Sequence, residues 1–129
     1  KNKAFDAYHS QSHLDPPMIE SIRMIKNLTY TGQYFVVVLT SCTATNHTAR
    51  TLWQQMKDWG VPNDLTIMRG SGNHLDPIDF KEQFLKDVEM FGKDPEEIMA
   101  IEDCIKNCDM FRSKGIFSIQ VENYKRLSK

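Results

Sequence analysis

Three short stretches carry side chains that could do chemistry together. The apolar run at residues 34–39 ends in Thr40-Ser41-Cys42. A hydroxyl at the end of a buried strand can donate to an anionic oxygen. The backbone N–H groups of Ser41 and Cys42 could add to it as a small anion nest. The plainer reading is a threonine that closes a strand or caps a turn. Glu102 and Asp103 follow the apolar run at residues 98–101. Adjacent carboxylates at a strand tip repel each other, and Mg²⁺ relieves this through one or two carboxylates, waters and phosphate oxygens. Solvated loop charge, or N-caps for the next helix, is the alternative. Lys81 stands between Phe80 and Phe84. Its ammonium could neutralise a phosphate and neighbouring carboxylates, or be an ordinary surface charge. Arg69 ends another apolar stretch, with phosphate or leaving-group binding and pairing to Asp76 or Asp79 as its two readings.

Four strands are expected to position these groups: Tyr34–Thr40, Leu65–Arg69, Ile98–Glu102 and Phe117–Val121. Each is short and apolar or β-branched, as buried parallel strands are. Apolar residues recur at helical spacing between them: Met18, Ile22, Ile25; then Ala49, Leu52, Trp53, Met56, Trp59; then Phe80, Phe84, Val88, Phe91. A shorter helix is expected from Ile105 to Lys114, and the two tryptophans are expected in the core. Asp15-Pro16, Asp76-Pro77 and Asp94-Pro95 put a capping carboxylate before a proline at helix starts. Gly32, Gly60, Gly92 and Gly115 each follow a helical stretch, where positive φ is wanted. The alternation predicts a single layered α/β domain over 1–129, with a mainly parallel sheet. Ligands of such sheets bind at the carboxyl ends of strands, which is where Thr40, Arg69 and Glu102-Asp103 fall.

The formal net charge is −1. Bulk charge therefore gives no reason to bind nucleic acid or anionic membrane, and any phosphate site must be local. No apolar run is long enough to span a bilayer. Three cysteines, Cys42, Cys104 and Cys108, make an odd and low count that fits a reducing, cytoplasmic setting better than a disulfide framework. With His47 they lack the spacing of a standard zinc site. His9 and His13 lie in a polar stretch and read as solvated.

Taken in order, strand–Thr, helical Lys and strand–Glu-Asp resemble the second, third and fourth motifs of the haloacid dehalogenase-like phosphatase superfamily. Within it, the chain is most similar to the 3′-phosphatase domain group of phage polynucleotide kinase and its phage and bacterial relatives. The segments that carry the likeness are TSC, TLWQQM, IMRG, HLDPIDFK, IEDC and MFRSKGIFSIQV, with FDAYHSQSHLDPP before the first helix. The resemblance implies that Thr40 holds the transferring phosphoryl group and that Lys81 orients and neutralises. It also implies that Glu102 and Asp103 hold Mg²⁺, while a nucleophilic aspartate forms an aspartyl-phosphate that water hydrolyses. The partner would be a phosphorylated small molecule or a nucleic-acid end. The fold that the resemblance implies is a three-layer α/β/α sandwich whose strand order puts Leu65–Arg69 and Phe117–Val121 at the two edges.

Three positions depart from that pattern. The first motif, Asp-x-Asp-x-Thr, does not occur in the 129 residues. In the family fold its strand is central, between those ending at Thr40 and Glu102. A buried unpaired backbone group costs about 1–3 kcal/mol, so the expectation is a strand and a nucleophile upstream of Lys1. Ser41-Cys42 stands where the group has Gly-Arg, and Cys104 replaces the arginine after the acidic pair. The loss of two cations favours a smaller substrate or lost activity. The alternatives are an inactive phosphate-binding or regulatory module, and the phosphatase part of a bifunctional kinase–phosphatase.

Overall fold

A computed structural model describes residues 18–90 and 92–121. Asp15-Pro16, His9, His13, Phe91 and the segment preceding the first helix lie outside the described residues. The chain divides into two compact units, Lys1–Asn73 and His74–Lys129. Each combines helices with a pair of parallel strands, so the architecture is mixed α/β.

The first unit contains α1 (Ile19–Thr29), β1 (Val37–Thr43), α2 (Asn46–Trp59) and β2 (Leu65–Arg69). β1 and β2 are parallel, from Val37 opposite Leu65 to Thr40 opposite Met68. β1 starts three residues later than expected. The Val36 N–H donates to the Asp64 carboxylate at 2.7 Å, and the Val36 carbonyl accepts from Asp64 and Leu65. A side chain thus takes the ladder's place there, and Tyr34 and Phe35 are exposed. β1 also continues past Thr40. The register shifts between Thr40 and Thr43, so Ser41 and Cys42 form a bulge before Thr43 pairs with Arg69. A bulge bends the strand and re-aims its side chains, and here it sits at the candidate site.

Helix α2 is defined at both ends by its own sequence. The Thr45 hydroxyl accepts from the Thr48 N–H at 3.0 Å, and the Thr48 hydroxyl accepts from the Thr45 N–H at 2.8 Å, a reciprocal cap. Gly60 ends the helix at φ 65°, donating to Lys57, while Val61 donates to Met56. A side chain at Gly60 would be strained by its left-handed backbone, and its Cβ would lie 2.9 Å from Lys26 Nζ. Because the lysine tip can move aside, backbone strain dominates. Gly60→Ala is expected to lower stability by about 1–2 kcal/mol, measured by urea unfolding. Met56 is buried as expected, but Trp53 is not in the core: it is 59% exposed. It lines an α2–β2 groove of about 360 Å³ with Leu52, Met56 and Met68, and Lys57 Nζ lies 5.0 Å from its ring centroid.

The second unit contains α3 (Pro77–Met90), a single 3₁₀ turn (Pro95–Glu97), β3 (Met99–Glu102), α4 (Ile105–Ser113) and β4 (Phe117–Gln120). β3 and β4 are parallel, Met99 opposite Phe117 through Glu102 opposite Gln120. Asp94-Pro95 starts only the 3₁₀ turn, because Ile98 is already extended and leads into β3. Met110, Phe111 and Ile116 form the core of this unit, with Ile78, Leu85, Ile98 and Ala100 packed around them. α4 ends as α2 does: Gly115 at φ 82° donates to Arg112, and Ile116 donates to Phe111. Among the described residues, no helix is long and apolar enough to cross a membrane.

Candidate functional site

The expected site residues fall in the two units: Thr40, Ser41, Cys42 and Arg69 in the first, Lys81, Glu102 and Asp103 in the second.

In the first unit, the β1 bulge turns its backbone onto the Thr40 side chain. The Cys42 N–H donates to Thr40 Oγ1 at 3.1 Å. The nest expected from Ser41 and Cys42 is therefore altered, since the Cys42 N–H is spent on the threonine. That bond fills an acceptor position on Oγ1 and leaves the hydroxyl proton to be donated elsewhere. The bulge is held from behind. Arg69, 8% exposed, donates from Nη2 to Thr43 Oγ1 at 3.0 Å. The Arg69 carbonyl accepts from the Ala44 N–H at 2.8 Å, and the Thr48 hydroxyl donates to the Thr43 carbonyl at 2.7 Å. Thr43 and Thr48 were not singled out from the sequence. The signal for them is the hydroxyl-rich run from Thr40 to Thr48, whose spacing fits a strand end leading into a capped helix.

In the second unit, α3 and the end of β3 bring Lys81 and Glu102 together across 21 residues. Lys81 Nζ lies 2.6 Å from Glu102 Oε2, and the side chains are only 11% and 10% exposed. Lys81 is thus no surface lysine. The other oxygen, Glu102 Oε1, accepts from the Asp103 N–H at 3.0 Å and the Cys104 N–H at 3.2 Å. The adjacent carboxylates therefore differ. Glu102 is clamped by a cation and two amides, while Asp103 stands at the turn that the Glu102 side chain fixes. Among the described residues, no group of three or more His, Cys, Asp or Glu side chains is gathered to hold a metal. A hard cation that keeps most of its waters needs only one or two protein carboxylates. Glu102 and Asp103 are the two adjacent carboxylates at this strand end.

The three cysteines are free thiols. Cys108 is fully buried, its Sγ 3.7 Å from the Glu102 carbonyl, as expected of a packing residue. Burial pushes the Cys42 thiol above its ordinary value, and the Arg69 guanidinium only partly offsets this. A raised thiol value means the folded state favours the neutral form. Its contribution to stability is present below the ordinary thiol value of 9.0 and is lost as pH rises through the folded value. Peptide mapping should show Cys42 alkylated by iodoacetamide at pH 8 more slowly than glutathione in the same tube, with the difference erased in urea. Equal rates in the native protein would contradict this environment.

Compared with known proteins, the chain matches no family model, no curated protein and no solved structure.

Proposed function

We propose that the chain forms the body of a magnesium-dependent phosphomonoesterase of the haloacid dehalogenase type, built as a three-layer α/β/α sandwich and acting in the cytoplasm. The observation that carries this reading is the Lys81–Glu102 pair. A lysine from a helix, held with little exposure against an acidic residue at a strand's carboxyl end, is what the third and fourth motifs of the resemblance require. The Thr40 hydroxyl, its acceptor side occupied by Cys42, adds a donor suited to an anionic oxygen.

In the proposed reaction, Thr40 donates to a non-bridging oxygen of the phosphoryl group, with the Ser41 backbone beside it. Lys81 neutralises charge and holds Glu102 in place. Glu102 and Asp103 would hold the magnesium ion. The ion would offset charge on the transferring phosphoryl group. An aspartate on an Asp-x-Asp strand, outside the 129 residues, would be the nucleophile. β1 and β3 each pair with one partner among the described residues. The substrate class is a nucleotide or a polynucleotide 3′-phosphate.

The test is phosphate release by protein expressed from its complete reading frame. A 3′-phosphorylated oligonucleotide, a 5′-phosphorylated one and nucleoside monophosphates are compared, each with magnesium and with EDTA. Magnesium-dependent release from at least one is expected, and its loss on Asp103→Asn. A second reading, phosphate binding without chemistry, is favoured by the absence of any Asp-x-Asp within these residues. It predicts that inorganic phosphate shifts the Thr40 and Ser41 amide resonances while no substrate turns over.

A further inference from the structure

The bulge at the end of β1 raises the question of what holds Thr40 in a fixed pose. A hydroxyl at the edge of a bulge is a poor electrostatic donor unless its geometry is set beforehand. Cys42 fixes one side of it from within the bulge. The Thr40 backbone is in register opposite Met68, and the bulge that begins there closes at Thr43, where the ladder resumes opposite Arg69. Thr43 is gripped at two atoms: its side-chain oxygen by Arg69 Nη2 at 3.0 Å, and its carbonyl by the Thr48 hydroxyl at 2.7 Å. Arg69 also grips the next residue, through the bond from the Ala44 N–H to its carbonyl. Thr48 is itself buried and locked by the reciprocal cap with Thr45. The guanidinium is close enough to act on the Cys42 thiol. Arg69 thus holds the chain just past the bulge by side chain and backbone, and its charge acts on Cys42 within it.

We infer that Arg69 is a positioning residue, which fixes the Thr40 hydroxyl by clamping Thr43 at the far end of the bulge. This rests on the phosphatase reading of Thr40, but the clamp itself can be tested without catalysis. A planar guanidinium with several donors in a fixed fork suits the task, because it can span neighbouring groups while staying charged in a buried place. Lysine, a single point charge, would not reproduce it.

Two readouts separate the clamp from the chemistry. The first is amide hydrogen exchange at Cys42, whose N–H is bonded to Thr40 Oγ1. Thr43→Val removes the acceptor for Arg69 while keeping side-chain size, so the fold is retained. It should raise Cys42 exchange about tenfold, the size expected for losing one hydrogen bond of about 1.4 kcal/mol. The α2 amides should keep their protection. Arg69→Met should do the same, and the double variant should add little. Unchanged Cys42 exchange in Thr43→Val, or full additivity in the double variant, would overturn the clamp whatever the activity.

The second readout is kinetic, on protein from the complete reading frame with magnesium. A displaced donor should lower kcat by about 10²-fold with KM nearly unchanged. Thr43→Val should lower it in the same sense, and Arg69→Lys should not rescue Arg69→Met. A rise in KM at constant kcat in Arg69→Met would mean that Arg69 binds substrate directly, which overturns the inference. If no substrate turns over, the phosphatase reading fails, and the exchange result alone decides the clamp.

Discussion

Replacing Lys81 with methionine should lower stability by about 3–5 kcal/mol, the range seen when one partner of a buried ion pair is removed. The pair is short and nearly shielded from water, 2.6 Å with both side chains close to 10% exposed. Methionine fills much the same space, so packing is largely kept. What is lost is the counter-charge for Glu102 Oε2. The two amides on Oε1 remain, and they place the cost toward the lower end of the range. A Tm fall of roughly 10 °C is expected for a domain of this size. Adding Glu102→Gln should recover a large part of the loss, because it removes the charge that Lys81 balanced. A single variant within 1 °C of the parent would show that the pair is water-exposed in solution. A double variant no better than the single would locate the loss in packing instead. Both measurements are simple thermal melts, independent of any assay.

Thr40→Val should reduce phosphate release by about 10²–10³-fold in kcat, the loss seen when one preorganised donor to developing charge is removed. Valine keeps the shape and β-branching that suit a strand. It removes the hydroxyl proton and also the acceptor for the Cys42 N–H. The loss of that single bond should cost about 1 kcal/mol of stability, too little to explain the drop in rate by unfolding. Thr40→Ser retains both functions of the oxygen and should restore most activity. The serine variant divides the two readings of this residue. A threonine that serves only to hold the turn would give a valine variant with normal turnover.

The punctuation of the fold was legible in the sequence. Gly32, Gly60, Gly92 and Gly115 all adopt positive φ where a glycine after a helical stretch was expected to do so. That signal is local: a left-handed residue needs no knowledge of distant packing. β2 was likewise legible to the residue, because it lies between Asn63-Asp64 and Gly70. The boundaries of β1 were not. At its start, the Asp64 carboxylate substitutes for ladder bonds, and this depends on a residue 28 positions away. At its end, the bulge arises from pairing with Arg69, which no period-2 pattern encodes.

The positions of the candidate site were partly legible for the same reason. Residue types at strand ends pointed to Thr40, Arg69 and the acidic pair. The partners that give those types their roles were not readable, since they are set by tertiary packing. Lys81 looks like many exposed lysines until α3 is laid against β3, where its stem is buried and its charge meets Glu102. Trp53 failed in the opposite direction: a helical apolar stripe does not say how much sheet is available to cover it.

The most direct test of the phosphatase account is to trap the phosphoenzyme. Protein from the complete reading frame is mixed with magnesium and a phosphorylated nucleotide or oligonucleotide that it hydrolyses, quenched in acid within a turnover and analysed by intact mass and peptide mapping. The account predicts a mass increase of one phosphoryl group on an aspartate of an Asp-x-Asp motif, labile to hydroxylamine and absent when magnesium is chelated. Hydrolysis without any covalent species, or a phosphoryl group on serine, histidine or cysteine, would contradict it.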